Sequence, residues 1–331
     1  MKPAAIVGWS GNGSQDDIAR TALAKLPHAG VAISKGPQSL VVRGEDPVLV
    51  ARRLAHLPGA SWIAVGFEFR NLPECLSRLA TLAKRYLEAG ASFRVSVETD
   101  GGGEVEGDVL LEATSTLLNA AKGTRVDEKD PGAVFRVIVV GGGGACGVQL
   151  RLGVGGVPTS KSMSAVCLVS GGYHSSVTAW MAALSGYSLT LVHARGDDEA
   201  LRQVARLYAE LSARIDPSSL RLYVLEGDGL PGDRVASWLG NVRGRVFTGV
   251  HPECRGAAAL EQLGGYRQVA FPLLLLQEAE VTSRFGELGL RGKEADRSAE
   301  LRLSGRRPGF TVRRFSGREA DQNAVLDYIL A

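Results

Sequence analysis

Apolar runs without alternation, set apart by segments of helical period, leave a chain little choice but a parallel sheet covered on both faces. The second half of this sequence has that rhythm: SAVCLVS, LTLVHA, RLYVLE, RVFTGV and QVAFPLLLL, with LRQVARLYAELSARI as a helix between the second and third runs. Sheets of this kind bind ligands beyond the carboxyl ends of their strands. Ser170–Ser176, His193 and the 249–254 stretch each follow such an end, so one crevice is expected to gather them.

The first half alternates instead. PAAIVGW, residues 31–33 and 39–43, WIAVGFEF and SFRVSVET read as strands. Between them fall helices, one opened by Asp46 and Pro47, one carrying leucines from Leu72, and one over about 105–122. FRVIVVGGGGACGVQLRLGVGG reads as two strands joined by a glycine turn, with Arg94 and Arg136 on outward strand faces. GGVPTSKSM, with glycine, proline and serine and no period, reads as a linker.

Composition excludes more than it selects. With 45% hydrophobic and 22% charged residues the 331-residue chain is globular, and no apolar run reaches membrane-spanning length. The net charge of +3 decides little, but residues 291–318 hold nine basic against three acidic residues. Cys75, Cys146, Cys167 and Cys254 include no CxxC pair, and the histidines lack ligand spacing, so no metal set is read. No cleavable leader is recognised in MKPAAIVGWSGNGS; a cytoplasmic protein is the expectation.

The run VCLVSGGYHSSVTAW carries the chemistry. Gly171 and Gly172 let backbone N–H groups approach an oxyanion, and Ser175, Ser176 and the following helix add donors and a positive dipole end. A bare tight turn has the same look. What argues for a phosphate loop is the order: strand, glycine pair, hydroxyl pair, apolar helix, second strand.

SGGYHSSVTAW resembles the pyrophosphatase-loop signature of adenylating enzymes, Ser-Gly-Gly-x-Asp-Ser. With GVQLRLGVGGVP before it, and LVHA, FTG and FPL after it, the layout resembles the tRNA 4-thiouridine synthetase (tRNA sulfurtransferase) family over nearly the whole chain. The resemblance implies a multidomain α/β and α+β fold. Residues 1–50 would form a ferredoxin-like domain, 51–157 a THUMP domain and 158–163 a linker. A pyrophosphatase-loop domain with parallel sheet would cover 164–331, including the basic C-terminal segment. It implies ATP, or AMP, as ligand. Leu168, Val169, Ser170, Gly171, Gly172, Ser175 and Ser176 would hold it, with His193 and Ala194 beside the base and Gly249 in the position of the family's Thr-Gly-Glu glycine. The family activates a uridine oxygen with ATP, and persulfide sulfur then displaces AMP.

Several positions depart from the pattern. The loop aspartate is His174, a poor ligand for the hard magnesium ion. Thr-Gly-Glu is Thr248-Gly249-Val250, and the helix LPGDRVASWLG lacks the family's basic pair near its start. The catalytic lysine and the aspartate before it map to Glu278 and Gln277, and no cysteine follows GELGLRG. Together these favour a degraded active site, with magnesium coordination its weakest part. Cys254, in TGVHPECRG, is either incidental or a sulfur carrier; it and His174 are the catalytic candidates.

Lys84, Arg85, Arg94, Lys122, Arg125, Arg136, Arg313 and Arg314 could meet phosphates, and the resemblance makes tRNA the partner, with no role for DNA or membrane. The expected function is a tRNA-binding, nucleotide-binding relative of the synthetases with impaired or lost adenylation. Two alternatives stand: an active sulfurtransferase using Cys254, with a sulfur-donor protein or companion subunit, or an RNA-binding scaffold without nucleotide.

Overall fold

A computed structural model describes residues 3–9, 15–26, 32–44, 46–101, 103–242, 244–250, 269–290 and 309–316. The chain divides into two compact units, Met1–Pro158 and Thr159–Ala331. A division at residue 50 falls inside the first unit, whose eight strands form one sheet.

In chain order the first unit holds β1 (Pro3–Trp9), α1 (Gln15–Lys25), β2 (Ala32–Lys35), β3 (Ser39–Arg43), α2 (Pro47–Leu54) and β4 (Ala60–Phe69). There follow α3 (Leu72–Tyr86), β5 (Ser92–Thr99), α4 (Gly103–Ala120), β6 (Arg125–Val126), β7 (Ala133–Val140) and β8 (Gly143–Leu152). The strand order is β2-β3-β1-β4-β8-β7-β5-β6. β4 joins the halves, running antiparallel to β1 on one side and to β8 on the other. Helix starts follow local chemistry: the Asp46 carboxylate accepts from the N–H groups of Val48 (2.9 Å) and Leu49 (3.1 Å), and Asn71 accepts from Glu74 N–H at 3.0 Å.

Strand alternation sorts the side chains into two faces. On the helix-covered face, Ala5, Val7, Ile63 and the apolar sides of α1 and α2 form one core. Cys75, Leu79, Phe93, Val95, Leu117, Phe135 and Cys146 form the next. On the opposite face Ala4, Ile6, Val41, Trp62, Ala64, Ile138 and Ala145 pack together, drawing on strands from both halves of the sheet.

The second unit holds β9 (Val157–Leu168, begun in the last residues of the first), α5 (Tyr173–Leu184), β10 (Ser185–Ala194) and α6 (Asp198–Ser212). β11 (Leu220–Gly227), α7 (Pro231–Leu239), β12 (Arg245–Thr248), β13 (Val269–Ala270), α8 (Glu278–Glu287) and β14 (Phe310–Ser316) complete it among the described residues. The order is β13-β12-β9-β10-β11-β14; β12 is parallel to both β9 and β13, β10 is parallel to β11, and β14 runs antiparallel along the edge.

Two readings need correction. Residues 158–163, expected as an aperiodic linker, belong to strand β9; Thr159 is buried there while Lys161–Ser164 are exposed. The apolar run 268–276 is strand only at Val269–Ala270. Pro272 offers no ladder N–H, the chain turns, and Leu275 is 97% exposed.

Candidate functional site

The first strand of the second unit ends as expected at a glycine turn feeding a helix. Gly171 takes φ +89°, a region that disfavours a side chain, and a Cβ there would lie 2.7 Å from the Ala200 carbonyl oxygen at the start of α6. The loop is thereby drawn against a second helix start. Gly172 caps α5 without any side-chain hydrogen bond, so the helix presents its first amides uncapped.

The loop hydroxyls organise the turn from inside. Ser170 N–H donates to Ser175 Oγ at 3.2 Å, and Gly172 N–H donates to Ser170 Oγ at 3.3 Å. The hydroxyls of Ser175 and Ser176 donate to the Gly172 carbonyl at 2.9 and 3.1 Å. Both serines are buried, so they shape the cradle more than they line it. Gly249 passes directly over the same turn: a Cβ on it would lie 2.6 Å from Ser175 N. Leu168, Val169 and Ala194 stand at the ends of their strands beside this loop, with Val169 N–H donating to the Val192 carbonyl at 2.9 Å.

His193 is buried at the end of β10, 2.9 Å from the Val169 carbonyl through Nδ1. That nitrogen therefore carries the proton, and Nε2 is a buried acceptor with no hydrogen-bond partner among the described residues. Burial lowers its pKa from the ordinary 6.5 and keeps the ring neutral.

His174 points elsewhere. Its Nε2 lies 3.1 Å from Glu278 Oε2 at the first turn of α8, and its ring stacks on Tyr173 with centroids 4.0 Å apart. Tyr173 meets Phe285 edge-on at 6.0 Å, and Val177, Leu273 and Val281 form the core beneath. The two departures from the family pattern that the sequence left far apart thus meet in one hydrogen bond. Their separation by 104 positions left no sequence signal for the pairing.

Other side chains settle into fixed roles. Arg234, on the first turn of α7, is buried and donates to the backbone carbonyls of Gly227 and Arg195. Arg195 bonds Glu226 at 2.7 Å and Asp198 at 3.0 Å. Cys167 is core, with burial pushing its thiol up to about 12. Cys254 lies outside the described residues, as does the basic segment apart from 309–316.

Of the expected RNA-facing residues, four gather at one end of the first unit. Lys84 and Arg85 end α3, Lys122 follows α4, and Arg125 lies on β6; all are exposed. Gly90 N–H donates to the Gly123 carbonyl at 3.1 Å and ties the two helix ends together. Arg136 is spent internally: it bonds Gln149 (2.8 Å) and Ser96 (2.7 Å) and lies 4.3 Å over the Trp62 ring. Burial pulls its pKa down to about 10. Arg94 donates to the Glu128 carbonyl at 3.3 Å. Arg313 bonds Glu226 at 2.8 Å and Arg314 lies over Tyr223, so both help fasten β14 to the sheet.

What the loop offers an anion is a helix start without a side-chain cap, while Gly171 itself is packed against the Ala200 backbone. The lip offers an imidazole and a carboxylate already bonded to each other, and among the described residues no three His, Cys, Asp or Glu side chains group as metal ligands. Also among the described residues, no helix is long and apolar enough to cross a membrane.

Fold and loop together define a multidomain α/β protein whose parallel-sheet unit opens with a glycine–hydroxyl turn at a helix start. No family model matches the chain. A tRNA sulfurtransferase of Desulfurococcus amylolyticus is 32% identical over 147 residues, covering 44% of this chain and 30% of that protein. A probable tRNA sulfurtransferase of Methanocaldococcus jannaschii is 30% identical over 90 residues, 27% of this chain and 24% of that protein. The matches thus span less than a third of either relative. Among solved structures, a 4-thiouridine synthetase–RNA complex with bound ATP superposes at TM-score 0.66 with 18% identity, covering 87% of this chain and 85% of that one. PH1313 from Pyrococcus horikoshii superposes at 0.64 with 19% identity, covering 88% and 100%. Over part of its length the chain is similar to tRNA sulfurtransferases, and it has the fold of the 4-thiouridine synthetase structure.

Proposed function

We propose that the second unit binds ATP or AMP, that the chain binds tRNA, and that adenylation at this site is impaired or lost. One observation carries the last point: His174 meets Glu278 where the resemblance puts an aspartate and a lysine. A lysine there would stabilise charge leaving on phosphate; a carboxylate repels it.

Nucleotide binding is supported by the glycine turn at the end of β9 and by the start of α5, which has no side-chain cap. Support for tRNA comes from the relatives' names, from the RNA in the superposed complex, and from the exposed cluster of Lys84, Arg85, Lys122 and Arg125.

The test adds unmodified tRNA to the full chain with ATP and follows AMP release, alongside a filter-binding measurement of tRNA. Nucleotide and tRNA binding without AMP is the expected result. AMP release that Cys254→Ala abolishes would favour an active sulfurtransferase, and tRNA binding with no nucleotide binding would leave a scaffold.

A further inference from the structure

We propose that the outward apolar face of α4 seats a second copy of this chain, the two helices packing antiparallel about a twofold axis. The inference goes beyond the nucleotide and tRNA readings above and rests on neither.

Helix α4 carries more apolar surface than its core contact uses. Val109, Ala113 and Leu117 are buried in the core shared with α3 and the strands. A helix with a single core face turns polar residues to its other sides. Here, instead, Leu110, Leu111 and Leu118 are 38%, 68% and 39% exposed. Helical period places them with Gly107 and Thr114 on one stripe beside the buried face, while Asp108, Glu112, Ser115 and Asn119 hold the side beyond it. Gly107 is an independent sign. It lies inside the helix without a positive φ, and a Cβ on it would meet nothing within 4 Å. Glycine weakens a helix relative to alanine, and among the described residues no contact requires it here.

Charge along the helix selects the occupant. Glu104, Glu106 and Asp108 lie in the first half of α4, and Lys122 stands exposed just past its end. Such a helix is complementary to itself when reversed, the self-matching that a twofold interface demands. With the axis between Leu111 and Thr114, Leu118 of each copy covers the partner's Gly107, and Lys122 comes beside the partner's Glu104. A parallel pair would set Glu104 against the same residue. The helix is about 27 Å long. One such face covers well under the roughly 800 Å² per partner of a standard stable interface, so the dimer is a weak one, with a Kd on the order of tens of micromolar.

Sedimentation equilibrium of the full chain at low salt, over about 1 to 300 µM, tests this. The expected result is a monomer–dimer equilibrium that Leu111→Asp, a change at an exposed position, weakens roughly tenfold or more without moving the denaturant midpoint. Glu104→Lys and Lys122→Glu should each weaken it roughly threefold or more, and the two together should restore it, as antiparallel pairing requires. A chain that stays monomeric over that range, a dimer indifferent to Leu111→Asp, or charge changes that fail to compensate overturns the inference. A monomeric chain whose tRNA binding falls with Leu111→Asp overturns it too, and assigns the face to RNA.

Discussion

At Gly171 a backbone conformation and a close approach act together. Gly171→Ala would combine a left-handed φ with a Cβ 2.7 Å from the Ala200 carbonyl. We expect a loss of about 1–3 kcal/mol, read as a lower denaturant midpoint, with ATP affinity falling alongside. His193 makes a different kind of statement. Burial lowers its pKa, so the native state binds fewer protons than the unfolded chain below the ordinary value of 6.5. The stability it contributes is complete above that pH and is lost as pH falls through 6.5 towards the lowered value. His193→Gln should flatten this acid slope in denaturant titrations; an unchanged slope would assign it to other groups.

Elements show what a sequence can and cannot announce. Asp46-Pro47 marks a helix start because caps are local chemistry, and the parallel sheet was legible because its strands are apolar on both faces. Strand β9 was hidden because its exposed part, around Lys161–Ser164, gains order from neighbours rather than from its own pattern. Arg136 was read as outward-facing, whereas it packs over Trp62 and bonds Gln149 and Ser96, contacts that depend on three other strands. Likewise the loop could be read from SGGYHSS, while the contact of His174 with Glu278 could not. Helix α8 is fastened at both ends: Glu278 meets His174, and the buried Arg214 donates to the Leu288 carbonyl at 2.8 Å and to Glu210 at 3.0 Å. Arg214→Met should therefore loosen α8 selectively. Amide exchange over 278–288 should quicken roughly tenfold or more, with β10 and β11 little changed. Uniform acceleration across the unit would show that α8 is not a separable element.

On the scale of the molecule, the continuity of the eight-stranded sheet matters most. Ile6 on β1 and Ile138 on β7 share one cluster although their strands are not neighbours, so damage at one end should be felt at the other. Ile6→Ala is expected to cost about 2–5 kcal/mol and to lower protection in β5 and β7 as much as in β1. Calorimetry should then show a single transition for residues 1–158; a separate early transition for the first 50 would show that the sheet joins two independently stable parts. The sulfur atoms offer a way to watch both units at once. Cys75 and Cys146 are sealed in the first, where the adjoining Cys75 thiol and burial raise the Cys146 pKa, and Cys167 is sealed in the second. An alkylating reagent can reach them only in molecules that have opened, so the order in which these three are tagged becomes a clock for which half of the protein breathes first.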